Sequence, residues 1–413
     1  MHSGSNTKAE PSSKRSNSNS HIFQQRIPWW QDIDAAVHAE LELQPPGEML
    51  LQSVDVVIVG GGVAGLSAAL AVKERDAGMR VLVLEQEAML GYGATGRNAG
   101  IFTPGINMAM SEIAPGSPAL AFYPETTAIF HRLIEEGQKS STLLCTRKTG
   151  AINMATSKRA AHKLERETHI RVQSGLRAEL WTPAQVAEAT QGRLDMKSVV
   201  SAMWLPDEGR IQPLTLLAYQ ARRARQQYDV DIAGQARVTG WEAVSTHARP
   251  AHWQVTLADG KALQARALVD CIGPTVEANA RIYALAFKAD FPETFPLFWD
   301  ASPYTYADYR PGNGRLGVSG GRYGKAGVAK NDQAYYRRLA DATRRWIPEL
   351  RGKRPAYRWA VDLEVTPDLI PEMRILDERA PGVAIEGLGA QGVLPGMALA
   401  QQAADYLVDR LSK

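Results

Sequence analysis

The sequence predicts an α/β chain, α+β overall, in which a buried parallel sheet is interleaved with an antiparallel one. Three observations predict it. The run from Val54 to Val59, interrupted only by Asp55, is rich in β-branched residues and stops at Gly60-Gly61-Gly62, the pattern of a fully buried parallel strand. The run from Ala236 to Gly273 alternates around Ala258-Asp259-Gly260, as antiparallel strands joined by a tight turn do, before a buried strand Val269–Gly273. Finally, 413 residues are too many for one ordinary core, and no internal repeat or interior low-complexity linker divides them. Two or three lobes that exchange segments are expected, rather than domains strung in series.

Each element follows in order. Residues 1–21 are rich in Ser, Asn and Lys and lack the apolar core of a secretory signal, so they read as a disordered tail or an added leader. Residues 22–50 read as an arm that packs Trp29 and Trp30 and ends at Pro45-Pro46-Gly47. After the first strand, residues 63–78 are helix-compatible, with small Ala64, Ser67 and Ala68 early and a glycine to stop them. Residues 79–87 form a second buried strand, completing one βαβ unit with a right-handed crossover. Residues 124–145 read as a helix through Ile129, Leu133 and Leu143, 149–156 as a strand, and 157–175 as a polar amphipathic helix. A helix and a strand follow over 211–232. The aromatic, turn-rich block from Thr294 to Gly321 predicts more antiparallel sheet, and the segment from Gly382 predicts strand, glycine turn and terminal helix.

Composition excludes whole classes of function. Lys+Arg 47 against Asp+Glu 44 leaves a net +3 spread along the chain, which is no nucleic-acid footprint. Clusters such as Arg222, Arg223 and Arg225 read as solvated helix faces. A hydrophobic fraction of 45% with 22% charged residues is that of a globular protein. No apolar stretch reaches the roughly 18 residues a membrane span needs, so none is expected. Two cysteines, Cys145 and Cys271, build neither a disulfide framework nor a zinc site, and the eight histidines show no ligand spacing. No metal is expected, and a cytoplasmic location is the default.

The chemistry begins at Gly60-Gly61-Gly62-Val63-Ala64-Gly65, a G-x-G-x-x-G turn. Gly60 makes the tight turn, Gly62 lets a pyrophosphate approach the backbone, and Gly65 lets the helix pack on the strand. The helix start offers free N–H groups and a positive dipole end to phosphates. Glu85 ends the next strand 20 residues after Gly65, where an acid meets an adenosine ribose hydroxyl. A carboxylate there disfavours the 2′-phosphate of NADP. The segment Gly91–Gly100 is small and turn-permissive, so that backbone can lie against a flat ring system.

Together with Trp359–Pro371 and Gly382–Gly392, these segments resemble the FAD-dependent amine and D-amino-acid oxidase (DAO) family, nearest its glycine oxidase, sarcosine oxidase and γ-glutamylputrescine oxidase branch. Pro28-Trp29-Trp30 resembles the last of these, and the likeness spans roughly residues 28–413. It implies a Rossmann-like FAD-binding domain of the glutathione-reductase type over 51–145, 196–278 and 359–413, interleaved with an antiparallel-sheet substrate domain over 146–195 and 279–358. It also implies residue roles. Gly60, Gly62, Val63, Ala64 and Gly65 would hold the pyrophosphate, and Glu85 with Gln86 the ribose. Ala94, Thr95, Arg97, Asn98, Ala99 and Gly100 would line the pyrophosphate and isoalloxazine. Val238 would meet the adenine, and Cys271, Ile272 and Gly273 would lie near the pyrophosphate. Gly387, Gly389, Gln391, Gly392 and Val393 would close over the pyrimidine side of the flavin.

Three departures narrow the reading. No cysteine lies beyond Cys271 and no histidine lies in Gly91–Gly100, so FAD is expected to be non-covalent. The stretch after Trp359 reads Ala-Val-Asp-Leu-Glu, without the arginine that clamps an α-carboxylate in glycine oxidase. Gln391 stands where many relatives carry histidine. The resemblance implies a hydride passing from a substrate C–H to flavin N5, imine hydrolysis, and reoxidation by oxygen to hydrogen peroxide. The substrate would be a small amine or amino acid. A dehydrogenase of the same fold using another acceptor, and a flavoprotein with structural or sensory FAD, are the alternatives. No single catalytic residue stands out. Trp299, Tyr304, Tyr306, Tyr309 and Arg322 are candidates for substrate contact, against a plainer role in sheet packing. Asp362 and Glu364, expected on one strand face by alternation, could receive a cationic amine or simply be exposed carboxylates.

Overall fold

A computed structural model describes residues 27–47, 53–139, 141–246, 249–273, 278–292, 294–300, 305–310 and 314–413. The tail expected over 1–21 and the start of the arm lie outside them.

Five strands form a parallel core in the order Gly382–Glu386, Ala262–Asp270, Ser53–Val59, Val81–Leu84, Asp231–Ala233. Their Val-, Leu- and Ile-rich stretches Val56–Val59, Val81–Leu84, Ala267–Asp270 and Gly382–Glu386 are buried on both faces, which only a sheet covered on both sides permits. One face carries the helices Val63–Arg75 and Val393–Leu411, and the other is covered by the antiparallel pair Val238–Thr246 and Arg249–Leu257. Ala262–Asp270 is one continuous strand, antiparallel to its hairpin partner at one end and parallel to Ser53–Val59 along its length. It ends at Asp270, so the separate strand expected over 269–273 is the tail of this longer one.

The helix Val63–Arg75 is buried on every side from Val63 to Lys73, wedged between sheet, terminal helix and the helix Pro213–Tyr228. Its small Ala64, Ser67, Ala68 and Ala71 allow this close approach. Lys73 enters the interior only because its ammonium donates to the carbonyls of Ala77 and Met79, at 2.6 and 2.9 Å.

The second sheet runs Tyr357–Leu363, Ala280–Lys288, Arg315–Gly324, Thr305–Arg310, Leu297–Asp300, Ala151–Ala155, Ser201–Leu205, Glu179–Trp181. Alternation divides its faces. Leu285, Phe287, Leu316, Val318, Phe298, Ile152 and Met154 pack toward the helix Asp332–Trp346, while Ala284, Ala286, Trp359 and Val361 face the arm and the parallel half.

Three expectations need correction. The sheet is not wholly antiparallel, because Leu297–Asp300 runs parallel to Ala151–Ala155. The strand Ser201–Leu205 was expected with the parallel half but pairs with Ala151–Ala155. Likewise Tyr357–Leu363 pairs throughout with Ala280–Lys288, so the second sheet keeps the chain to Leu363 rather than releasing it before Trp359. In both cases ladder partners distant in sequence decide the sheet.

The arm is a 3-10 turn, Pro28–Gln31, followed by the helix Ala35–Leu41, whose Asp34 cap accepts the Val37 N–H at 2.8 Å. Leu41 and Leu43 are buried in one cluster with Leu66, Leu90, Leu214 and Leu217.

At Gly65 any Cβ would run into the carbonyl oxygen of Gly60. Gly65→Ala should therefore lower the melting temperature of the FAD-free protein by on the order of 5 °C, an overpacking cost that outweighs alanine's better helix propensity. Differential scanning calorimetry of the apoprotein checks it; an unchanged or raised melting temperature would show the helix free to move off the strand.

Candidate functional site

The carboxyl ends of the parallel strands meet at one edge, the position where doubly wound sheets bind ligands. There Val59 runs into Gly60, whose φ of +107° suits glycine and whose N–H donates to the Leu84 carbonyl at 2.8 Å. A Cβ on Gly60 would lie 2.6 Å from the Cys271 carbonyl oxygen. Gly62 caps the helix Val63–Arg75 in an extended conformation. A Cβ there would meet one neighbour, the Thr95 hydroxyl, closely at 3.3 Å, so the backbone at Gly62 stays bare only because the residue is glycine. A tight turn, a bare glycine and a helix start fit a pyrophosphate.

Glu85 stands beside this turn. One carboxylate oxygen accepts the Gly61 N–H at 2.9 Å and the other the Glu87 N–H at 3.1 Å. Burial pushes its pKa above the ordinary carboxylate value, and these N–H groups pull it back. A carboxylate has about four acceptor sites, so hydroxyl donors can still be received. The Glu85 carbonyl accepts the Ala236 N–H at 2.8 Å, which brings Val238, first residue of its strand, alongside. Gln86 is exposed.

The segment Gly91–Gly100 folds as a compact turn containing a 3-10 stretch, Thr95–Arg97. Asn98 holds it together, donating to the Thr95 carbonyl at 2.7 Å and accepting the Gly100 N–H at 2.6 Å. The Thr95 hydroxyl accepts the Val63 N–H at 3.1 Å, joining this turn to the glycine-turn helix. Ala94 is exposed, while Arg97 and Ala99 are half-buried. Burial lowers the Arg97 pKa, opposed by Asp362 and Glu87. From outside, the Trp359 indole donates to the Arg97 carbonyl at 2.7 Å and the Trp29 indole to the Asn98 carbonyl at 2.8 Å. The two indoles meet edge to face, centroids 6.3 Å apart.

The carboxy-terminal loop closes the same edge. Gly389, Ala390 and Gln391 form a 3-10 turn and Gly392 precedes the helix Val393–Leu411. The Gln391 amide donates to the Thr103 hydroxyl at 2.7 Å and the Gly389 N–H to the Glu364 carbonyl at 3.2 Å. Cys271 continues the edge by donating its N–H to the Val59 carbonyl at 2.8 Å, followed by exposed Ile272 and half-buried Gly273.

One residue of this edge escapes sequence reasoning. Asp270, 1% exposed, accepts the Ile272 N–H at 3.0 Å through one oxygen, while its other oxygen is buried without a hydrogen-bond partner. Burial, with nearby Glu386, pushes its pKa up to about 6. Its signal is a lone acid at the end of a Val- and Leu-rich run.

The expected substrate residues part company. Trp299 is buried on the face of the second sheet away from Phe298, in register with Asn153 and Tyr306. Tyr306 is also in register with Ser319, and Tyr309 with Leu316. Tyr304 lies outside the described residues. Arg322 is exposed in the strand Arg315–Gly324. Asp362 pairs with Arg281 at 2.8 Å, and Arg281 also holds Asp332 at 2.9 Å, with Asp362 on the strand face opposite Trp359. Glu364 lies beyond the strand end, with one buried carboxylate oxygen unpartnered, so the two acids do not act as a pair. Among the described residues no cluster of His, Cys, Asp or Glu is placed to hold a metal ion, and no helix is long and apolar enough to cross a membrane.

Two substitutions test the geometry. Glu85→Ala should weaken FAD binding by about 1.5–3 kcal/mol, roughly ten- to hundredfold in Kd, through loss of a charged acceptor. Gly62→Val should abolish FAD retention by covering the bare backbone. Fluorescence titration of the apoproteins measures both; unchanged affinity in Gly62→Val would place the pyrophosphate elsewhere.

The sequence model of the family described as FAD dependent oxidoreductase (DAO) matches residues 55–406. A search of curated proteins returns no match. Among solved structures, L-proline dehydrogenase from P. horikoshii is similar at 18% identity and a TM-score of 0.74, over 87% of this chain and 95% of that one. Glycine oxidase from Geobacillus kaustophilus is similar at 20% identity and a TM-score of 0.70, over 87% and 95%. The FAD-bound, dithionite-reduced L-α-glycerophosphate oxidase from Mycoplasma pneumoniae is similar at 13% identity and a TM-score of 0.69, over 88% and 96%. With a family match across most of its length and a strand-edge site shaped for the cofactor, the chain belongs to the DAO family of FAD-dependent oxidoreductases.

Proposed function

We propose that this oxidoreductase cleaves the C–H bond next to the nitrogen of an amine that bears no carboxylate on the reacting carbon. The imine then hydrolyses to an aldehyde or ketone plus ammonia or amine, and oxygen takes the electrons. The carrying observation is that two arginines of the substrate sheet, Arg281 and Arg315, are already paired with carboxylates. The stretch Trp359–Glu364, where a carboxylate clamp is expected, holds no arginine, Arg281 is tied to Asp332 and Asp362, and Arg315 is tied to Asp32. A carboxylate entering past Trp359 would find none of these guanidinium groups open to a two-pronged pairing.

FAD supplies the hydride acceptor and the route for electrons to oxygen. The chain supplies position and electrostatics. The turn at Gly60–Gly65 and the helix start at Val63 hold phosphate charge, and Glu85 receives ribose hydroxyls. The helix start at Val393, with the N–H groups of the loop before it, favours negative charge on the pyrimidine side of the ring. Buried Ala284 and Ala286, packed with Trp359 and Val361, give this face of the sheet an apolar surface that would exclude water from the reacting carbon.

A second reading, a dehydrogenase passing electrons to another acceptor, draws support from the likeness to a protein named as a proline dehydrogenase. Reoxidation separates the two: an oxidase recovers its colour within seconds in air, a dehydrogenase only with an added dye.

Mixed anaerobically with putrescine-type amines, glycine and D-alanine, the enzyme should be reduced by the amines at least about tenfold more efficiently, the value of a missing charge-assisted clamp. Faster reduction by the amino acids would contradict the substrate class. Acid precipitation should release all flavin into the supernatant; yellow colour in the pellet would contradict non-covalent binding.

A further inference from the structure

The arm carries a carboxylate to an unusual place. Arg315 opens the strand Arg315–Gly324, in which Leu316 and Val318 are fully buried toward the helix Asp332–Trp346. Alternation therefore puts Arg315 on the other face, the one shared by Trp359 and Tyr357. Its guanidinium stacks over the Tyr357 ring at 4.8 Å and donates to both oxygens of Asp32, at 2.6 and 2.7 Å. The Tyr357 hydroxyl in turn donates to the Gln31 amide oxygen at 2.5 Å. Side-chain exposure is only 17% for Arg315 and 6% for Asp32, so this is no surface ion pair.

Asp32 is also held in place from behind. The turn that presents it is pinned by the Trp29 indole on the Asn98 carbonyl, the Gln212 amide on the Trp29 carbonyl at 3.0 Å, and Trp30 stacked on Tyr92 at 5.2 Å. Tyr92 and Asn98 belong to the flavin-lining turn. The arm thus lies between that turn and the substrate sheet, and its acid occupies the guanidinium of Arg315 on this face of the sheet.

We infer that Asp32 is a specificity-determining residue, a resident carboxylate that occupies Arg315 and so withholds it from carboxylate-bearing amines. This rests on the proposed amine-oxidising site. A largely buried guanidinium deprived of its partner is strongly unfavourable, so it takes another anion when one reaches it. Removing Asp32 opens both the charge and the volume of one carboxylate beside the flavin-lining turn.

Two measurements test it. In the first, needing no turnover, acetate is titrated against FAD-loaded protein while the flavin spectrum and melting temperature are followed. Asp32→Ala should bind acetate in the millimolar range or tighter, whereas wild type and Asp32→Ala/Arg315→Met should not. In the second, anaerobic reduction by glycine and 4-aminobutyrate is compared with reduction by putrescine. Asp32→Ala should raise the carboxylate-to-amine efficiency ratio at least tenfold, the double variant should cancel the gain, and Asp32→Glu should keep the wild-type ratio. Should Asp32→Ala not retain FAD, Asp32→Asn carries the same comparison. Acetate binding that survives Arg315→Met, or none in either Asp32 variant with FAD intact, overturns the inference. If no compound reduces the wild-type flavin, the proposed function fails, while the acetate result still decides the role of Asp32.

Discussion

The structure depends on one close approach, that of the helix Val63–Arg75 to the turn leaving Ser53–Val59. Gly65 sits so near the Gly60 carbonyl that no side chain fits between them. That contact sets the helix start over the strand end, brings Gly62 close to Thr95, and fixes Gly61 where its N–H reaches Glu85. Three features expected of a dinucleotide site, for phosphate, ribose and close backbone approach, thus come from one packing constraint. The terminal helix obeys it too: a Cβ on Gly396 would lie 3.5 Å from the Ala64 Cβ, so small residues again let two buried helices approach at the site.

A second constraint joins the two sheets. The Gly91–Gly100 turn presents carbonyls outward, and two indole N–H groups from distant parts of the chain donate to them. Trp359 comes from the substrate sheet and Trp29 from the arm. A buried carbonyl without a partner is costly, so each indole both satisfies a polar group and fixes the distance between sheet and turn. The Asp32–Arg315 pair closes the same frame from the other side of the arm. The Gly91–Gly100 turn and the second sheet are therefore linked through residues 27–34 as much as through direct contact.

Much of this was legible in the sequence because it is local. A Val-rich strand, a glycine turn, a small-residue helix and an acid at the end of the next strand are read within about three dozen residues, and the carboxy-terminal glycine loop is equally compact. What sequence reasoning missed depends on distant partners. Alternation shows that Asp362 and Leu363 lie on opposite faces, yet only pairing with Ala280–Lys288 and the Arg281 contact decide which face looks outward. Ser201–Leu205 joins its sheet through Ala151–Ala155, far back in the chain. Asp32 and Arg315 are 283 positions apart. The helix Asp332–Trp346 is a different case: Tyr336, Leu339, Ala340, Thr343 and Trp346 already show helical spacing, hidden within a strongly basic stretch.

The central claim is that three segments distant in sequence form one cofactor site. Hydrogen–deuterium exchange of the apoprotein with and without added FAD tests it most directly. Slowed exchange of backbone N–H groups in 60–66, 94–100 and 387–393 together, with one FAD concentration dependence, is the expected result. Protection confined to one of these segments, or appearing instead in the cleft lined by Arg132, Tyr219 and Gln401, would contradict it.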